Sequence, residues 1–222
     1  MLTTRRRTAV AGLLAALAVS VTGCSSDSGN SSANDKIKGA DSSESASASP
    51  SASASADKNA PGFDYPSDIT VAVDRESVGD STKDAILRDV AYAAQARIEA
   101  FGKGSGQTAN LNRYFAANAR IFWVNRVSEF NKKEGLTLTG HYRYYGFKVT
   151  DVANGKSAAA SYCEDQSKAY DKVIKTGKVQ RTQASDKSFV LYTVQAQRDS
   201  AGDWQVTQQS WKKGDAECVQ GQ

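Results

Sequence analysis

The chain has 222 residues, and its 28 Lys+Arg against 24 Asp+Glu give a formal net charge of +4 at pH 7. Three of those positive charges, Arg5 to Arg7, lie in a predicted leader, and without them 25 Lys+Arg face 24 Asp+Glu. A near-neutral domain lacks the basic surplus typical of nucleic-acid-binding proteins, so we expect no nucleic-acid partner. With one histidine, no CxxC pair and no glycine-rich phosphate loop, we expect neither a metal nor a cofactor.

Residues 1–23 have the order of a secretory signal peptide, in which a basic segment precedes a short apolar run. The apolar run, residues 9–21, is shorter than the roughly 20 residues that a membrane-spanning helix needs. Val21-Thr22-Gly23-Cys24 follows and resembles the lipobox of bacterial lipoproteins. That resemblance implies that Cys24 is diacylated and becomes the mature N-terminus, on the outer face of the cell membrane. The alternative is an ordinary secretory peptide with a chance cysteine at this position.

Residues 24–61 are predicted to be a disordered tether that begins at the lipidated Cys24. Residues 25–60 contain 13 serines and a single large apolar side chain, Ile37. Such a composition cannot bury enough apolar surface to offset the entropy of ordering the chain. We therefore expect one folded domain, residues 62–222, held away from the lipid surface.

The first half of the domain is predicted to be mostly helical. A short alternating segment, residues 68–74, indicates an entry strand. A helix is predicted from an N-cap at Ser81 to Phe101, because apolar residues recur at helical spacing over this range. Shorter helical segments are expected from Thr108 and over residues 117–133.

The second half changes to the two-residue period of strands. Strands are predicted over residues 136–152, 156–164, 189–197 and 204–211. Asn154-Gly155 lies between the first two and is the strongest hairpin signal in the chain. Helices followed by an antiparallel meander predict an α+β domain with N-terminal helices packed on a curved antiparallel sheet.

Cys163 and Cys218 are the two cysteines of this domain. An even pair in an exported domain indicates one disulfide. Two buried free thiols are the alternative, and a metal site is disfavoured.

The element order resembles the nuclear transport factor 2-like cone, and more narrowly the small exported lipoproteins of actinobacteria that carry such a domain. The matching segments are Gly135-Leu-Thr-Leu-Thr-Gly140, Cys163-Glu-Asp165-Gln-Ser167 and Gly202-Asp-Trp204-Gln-Val206, followed by Cys218. The resemblance implies a cone-shaped sheet with an interior pocket. It implies no particular activity, since that fold carries many functions.

We expect a non-catalytic domain that binds a small hydrophobic ligand or acts as an accessory module. The candidate residues for an apolar pocket are Tyr92, Trp123, Tyr142, Tyr144 and Tyr192. One alternative is a cone-fold enzyme, isomerase-like or dehydratase-like, with Asp151 or Asp165 as base beside a tyrosine. The other is a module that binds an envelope protein.

Residues 168–187 carry six cations against two acids. This surplus suits binding to anionic polymers or lipid headgroups, and a solvated sheet edge explains it equally well.

Overall fold

The structure is a computed structural model that describes residues 60–221. The predicted signal peptide, the lipidated Cys24 and nearly all of the predicted tether lie outside the described residues. The first elements are strand β1 (Ile69–Val73), helices α1 (Ser81–Lys103), α2 (Ala109–Tyr114) and α3 (Ala117–Ser128), and a π-helical turn (Glu129–Lys133). The later ones are strands β2 (Leu136–Ala153), β3 (Ser157–Val173), β4 (Val179–Gln180), β5 (Phe189–Arg198) and β6 (Trp204–Lys213), a 3-10 turn (Asp186–Ser188) before β5, and helix α4 (Ala216–Gln220).

The N-cap of helix α1 lies one residue before the predicted one. Asp80, rather than Ser81, is the N-cap, and its side chain accepts hydrogen bonds of 2.9 Å from the backbone N–H groups of Thr82 and Lys83. The helix ends at Gly104, which has the left-handed φ of 63° that glycine adopts at no steric cost. Most of its residues from Ile86 to Phe101 are buried, so α1 is the central element of the core.

The sheet has the strand order β1-β2-β3-β5-β6, with the short β4 paired to the far end of β3. β1 is parallel to β2, and every other pair is antiparallel. Asn154 and Gly155 have φ values of 53° and 61°, the two positive values of a type I′ turn, and they join β2 to β3 as predicted. β3 extends to Val173, well past the predicted end at residue 164.

Strands β2 and β3 bend around the helices. Their pairing register shifts at three places, between His141 and Arg143, Tyr145 and Lys148, and Val149 and Asp151. Gly140 has a φ of 102°, and a Cβ there would lie 2.2 Å from the carbonyl oxygen of Lys168, so only glycine fits. The predicted class, α+β with N-terminal helices packed on a curved antiparallel sheet, is confirmed. It is the arrangement that the nuclear transport factor 2-like resemblance implies.

A second, smaller apolar cluster lies apart from the main core and contains the disulfide. Cys163 and Cys218 are bonded, with an S–S distance of 2.02 Å, as predicted. Tyr145 and Phe189 pack against them, and the Tyr145 hydroxyl donates a hydrogen bond to the Cys218 carbonyl. The bond therefore holds the C-terminal helix α4 against the sheet. Among the described residues, no helix combines the length and apolar character needed to cross a membrane.

Candidate functional site

A buried ion pair joins α1 to β3 inside the curve of the sheet. Arg97 Nη2 lies 2.8 Å from Glu164 Oε1, and the side chains are only 7% and 0% exposed. Arg97 stands seven residues after Val90 and therefore on the same face of α1. Glu164 stands two residues after Tyr162 and therefore on the same face of β3. Local periodicity thus directs both charges into the core.

Tyrosine hydroxyls and an amide complete the bonding of this pair. Arg97 Nη1 donates to the Tyr192 hydroxyl at 2.8 Å, and Nη2 also donates to the Tyr144 hydroxyl at 3.1 Å. Tyr144 donates to Glu164 Oε1 at 2.9 Å, and Gln166 Nε2 donates to Glu164 Oε2 at 2.9 Å. Both oxygens of Glu164 are therefore engaged, which satisfies a carboxylate that burial would otherwise penalise heavily.

The guanidinium of Arg97 also lies against two aromatic rings. Its Cζ is 5.1 Å from the ring centroid of Trp123 and 4.7 Å from that of Tyr192. These distances are within the range of cation–π attraction. The ring faces that a cationic ligand would use at this depth are thus already in contact with a protein cation.

This ion pair forms the deep end of an open cleft of about 500 Å³, which we call the aromatic cleft. Helices α1 and α3, the π-helical turn, the concave side of the sheet and the segment 180–188 surround it. Its aromatic lining residues are Phe101, Phe122, Trp123, Phe130, Tyr142, Tyr170, Tyr192 and Trp211. Phe130 belongs to the π-helical turn, a rare element that is frequent at functional sites.

The residues that line the aromatic cleft include two more cations than carboxylates. Lys187 and Lys213 line it, both are exposed, and neither forms an ion pair within the part of the chain that the structure describes. Arg126 also lines it, but pairs with Glu134 and Glu129. Asp171 is the carboxylate at the mouth. Burial, reinforced by the nearby Glu134, raises its pKa, and Arg126 and Lys213 oppose that rise.

Two residues that line the aromatic cleft each have a buried N–H donor with no hydrogen-bond partner among residues 60–221. The donors are Nε1 of Trp123 and Nε of Arg97, and each residue is 5% exposed. A buried donor without an acceptor costs about 1–3 kcal/mol, so native proteins rarely contain them without a reason. At its deep end, the aromatic cleft therefore has N–H donors that lack an acceptor, whereas the carboxylate oxygens there already accept hydrogen bonds.

The structure separates the five residues predicted to form a pocket. Trp123, Tyr142 and Tyr192 line the aromatic cleft. Tyr144 is fully buried behind it, where its hydroxyl bonds Glu164. Tyr92 lies elsewhere, because five residues of α-helix place it about 140° around α1 from Arg97. The expectation of an apolar cavity was also wrong, since Arg97, Glu164 and the cations at the mouth belong to the same cleft.

Tyr92 lines a second cleft of about 290 Å³, which we call the arginine–aspartate cleft. Its charged lining residues are Arg88, Asp89, Arg113, Arg198 and Asp203. Asp89 is 1% exposed and accepts from Arg88 Nε at 2.8 Å and from the Trp204 N–H at 2.9 Å. Burial raises the pKa of Asp89, although those two hydrogen bonds oppose the rise.

The remaining charged residues of the arginine–aspartate cleft are hydrogen-bonded as well. Arg113 donates to both oxygens of Asp203, at 2.7 and 3.1 Å. Its hydrogen bonds lower the pKa of Asp203. Arg198 Nε donates to the Gly202 carbonyl at 3.2 Å. Both carboxylates of this cleft are therefore bonded within it, by contacts between α1, α2 and the turn that precedes β6.

Sequence reasoning missed Arg97 and Glu164, and considered Asp151 and Asp165 instead. Asp151 is exposed near the end of β2, and Asp165 accepts from the Ser167 N–H. Neither lines the aromatic cleft. The missed signal was a charged residue on each apolar face, Arg97 on the stripe of α1 and Glu164 on the inward face of β3. In the described part of the chain, no group of three or more His, Cys, Asp or Glu is placed to hold a metal ion.

No family profile matches the sequence, and no curated protein matches it. Solved structures with a similar fold include the intermembrane space region of the chloroplast protein ARC6, with 15% identity, a TM-score of 0.39, and coverage of 56% of this chain and 92% of that one. A ketosteroid isomerase-like protein from Erwinia carotovora atroseptica has 14% identity, a TM-score of 0.38, and coverage of 58% and 96%. A protein from Catenulispora acidiphila has 10% identity, a TM-score of 0.39, and coverage of 60% and 95%. With TM-scores below 0.5, we draw neither a family nor an activity from these likenesses.

Proposed function

We propose that this protein is a lipid-anchored extracytoplasmic lipoprotein of the actinobacterial type, whose folded domain binds a small amphipathic molecule in the aromatic cleft without transforming it. One observation carries the ligand-binding part. An open cleft of about 500 Å³ combines aromatic walls with two buried N–H donors that have no partner in the described part of the chain. Apolar walls with a few convergent polar groups are typical of small-molecule sites.

The anchor is supported by the sequence around Cys24. A basic segment, a short apolar run and a lipobox-like Val21-Thr22-Gly23-Cys24 occur in the required order. Two acyl chains hold a protein on a bilayer far more firmly than one. Cys24→Ala should therefore move the protein from the membrane fraction to the medium, or leave an uncleaved precursor. Unchanged fractionation together with an unmodified mature N-terminus would exclude the anchor.

A non-catalytic role is supported by the way Glu164 is bonded. A general base must reach a substrate proton with a free lone pair. Glu164 is fully buried, and its two oxygens accept from Arg97, Tyr144 and Gln166. It therefore fits the role of a fixed countercharge for Arg97 better than that of a base.

Asp171 supports a second candidate, the cone-fold enzyme. It lines the aromatic cleft, and burial raises its pKa in the direction that suits a general base. Asp171→Asn separates the two candidates. An enzyme would lose turnover of the bound compound and keep its affinity, whereas a binding domain shows no turnover before or after the change.

Native mass spectrometry of the full chain tests ligand binding. We expect a co-purified small molecule that is lost in Trp211→Ala, which removes a half-exposed ring from the mouth of the cleft. Ile174→Ala is the matched control, because Ile174 is as exposed and does not line the cleft. If no ligand is found and no compound raises the melting temperature, the exposed contact pair of Phe122 and Trp211 favours the third role, a module that binds an envelope protein.

A further inference from the structure

We propose that the ligand of the aromatic cleft is an amphipathic anion, with an apolar body against the aromatic walls and a negatively charged oxygen group at Lys187 and Lys213. This inference rests on the proposed ligand-binding function and names the chemical class of the ligand.

The two lysines lie close together at the mouth of the cleft. Lys213 is the last residue of β6 and is paired with Val190, near the start of β5. The next residue, Gly214, donates its N–H to the Phe189 carbonyl at 2.8 Å, and a Cβ at Gly214 would lie 3.8 Å from the backbone nitrogen of Lys187. The backbone thus brings both residues to one edge of the aromatic cleft.

The residues that line the cleft carry two more cations than carboxylates, since Arg97, Arg126, Lys187 and Lys213 face Glu164 and Asp171. Arg126 is bonded to Glu134 and Glu129, which do not line the cleft and which offset part of this surplus from outside it. Lys187 and Lys213 are exposed and form no ion pair in the described part of the chain. The surplus is that of the wider segment 168–187, with six cations against two acids. An anionic group at this place gains attraction from both lysines.

The deep end of the cleft also selects for hydrogen-bond acceptors. Trp123 Nε1 and Arg97 Nε are donors without a partner in the described part of the chain, while both oxygens of Glu164 are taken. Both nitrogens are buried, so a ligand oxygen would reach Trp123 Nε1 only after the indole rotates, while Arg97 Nε is held in place by the hydrogen bonds of the two Nη groups. A molecule rich in acceptors, such as a carboxylate or a sulfonate with further oxygens, meets this demand, and a molecule rich in donors does not.

A cationic ligand is disfavoured by the same geometry. Aromatic pockets that bind cations offer free ring faces. Here the guanidinium of Arg97 already lies 5.1 Å from the Trp123 centroid and 4.7 Å from the Tyr192 centroid. A cation would meet Arg97 at the deep end and two lysines at the mouth.

Two fluorescent probes with the same aromatic body test the proposal. 1-Anilinonaphthalene-8-sulfonate is an anion, and N-phenyl-1-naphthylamine has the same rings without the sulfonate. Each is titrated into the full chain carrying Cys24→Ala. We expect the anion to bind about fivefold to tenfold more tightly, the effect of two partly exposed ion pairs.

Charge removal then locates the effect. Lys187→Gln with Lys213→Gln should weaken binding of the anion about fivefold to tenfold and leave the neutral probe unchanged. The control, Lys175→Gln with Lys212→Gln, makes the same change in net charge at exposed residues that do not line the cleft, and should change neither affinity. Lys212 pairs with Asp215. Equal affinity for both probes, or equal losses in both double variants, would overturn the anion proposal and leave ligand binding intact. If neither probe binds, the proposed function itself fails.

Discussion

The aromatic cleft and the arginine–aspartate cleft contain similar residues and differ in how completely their polar groups are bonded. Each has a buried carboxylate on or against α1, Asp89 in the arginine–aspartate cleft and Glu164 in the aromatic cleft, and each carboxylate faces an arginine. In the arginine–aspartate cleft, Asp89 and Asp203 accept from Arg88, Arg113 and the Trp204 N–H. In the aromatic cleft, two N–H groups have no acceptor among residues 60–221.

This difference distinguishes a structural cluster from a binding site. A set of charges whose donors and acceptors match each other stabilises the elements that carry it and has little left for a ligand. Asp89 and Trp204 are 115 residues apart, and their hydrogen bond joins α1 to the start of β6. A set with excess donors and apolar walls has bonding capacity that a ligand can use. The following changes test that distinction, from the largest expected effect to the smallest.

Glu164→Gln should have the largest effect, lowering the free energy of unfolding by about 3 kcal/mol. The amide keeps the volume of the side chain but leaves the charge of Arg97 buried without a countercharge. Glu217→Gln is the control, because it breaks the exposed pair with Lys148 and should cost less than about 1 kcal/mol. Urea unfolding measures the loss of unfolding free energy in both variants. Similar losses would contradict the role of Glu164 as a buried countercharge to Arg97.

Asp89→Ala should cost about 2 kcal/mol, because the Trp204 N–H is left buried without an acceptor and Arg88 loses its hydrogen bond to Asp89. The comparison of the clefts adds a second expectation. Probe affinity in the aromatic cleft should not change at temperatures where the variant is folded, since Asp89 does not line it. A matching loss of anion affinity would show that the two clefts act as one unit.

Tyr144→Phe and Tyr142→Phe remove one hydroxyl each from the same face of β2. Tyr144 loses its bonds to Glu164 and Arg97, so we expect a cost of about 1–1.5 kcal/mol. The Tyr142 hydroxyl has no hydrogen bond recorded in the described part of the chain, and its loss should cost less than about 0.5 kcal/mol. Thermal unfolding distinguishes them, and a reversed order would mean that the Arg97–Glu164 network does not depend on Tyr144.

Asp171→Asn should have the smallest effect and a distinctive dependence on pH. Burial raises the pKa of Asp171 above its ordinary value of 3.8, so ionisation of this group opposes folding. Its destabilising contribution is absent below pH 3.8, grows as pH rises from 3.8 to the raised pKa, and is complete above that pKa. The variant should therefore be more stable than the parent at pH 7 and equal to it at low pH. The exposed Asp151→Asn should show no such trend. If the free energies of unfolding of Asp171→Asn and of the parent run parallel from pH 3 to pH 7, then ionisation of Asp171 does not oppose folding.

Much of the fold could be predicted because its signals are local. The apolar stripe of α1, the two-residue period of β5 and β6, and the Asn154-Gly155 turn each depend on neighbouring residues alone. The Cys163–Cys218 bond follows from cysteine number and the expectation of export, without knowledge of the fold. The boundaries that were wrong, the cap of α1 and the end of β3, depend on contacts that periodicity does not report. β3 continues past Glu164 because β2 and the short β4 pair with it.

What the sequence by itself determined is therefore the kind of each long element, the face of the long elements that points inward, and the overall α+β class. The tertiary structure alone decided which inward side chains meet. Arg97 and Glu164 are 67 residues apart, and they face each other only because the bulges of β2 and the glycine at 140 bend the sheet around α1. The same curvature brings Trp123 and Tyr142 into the aromatic cleft and leaves Tyr92 on another side of the helix. Periodicity fixes a direction for each side chain within its own element, whereas register, curvature and helix rotation fix its partners.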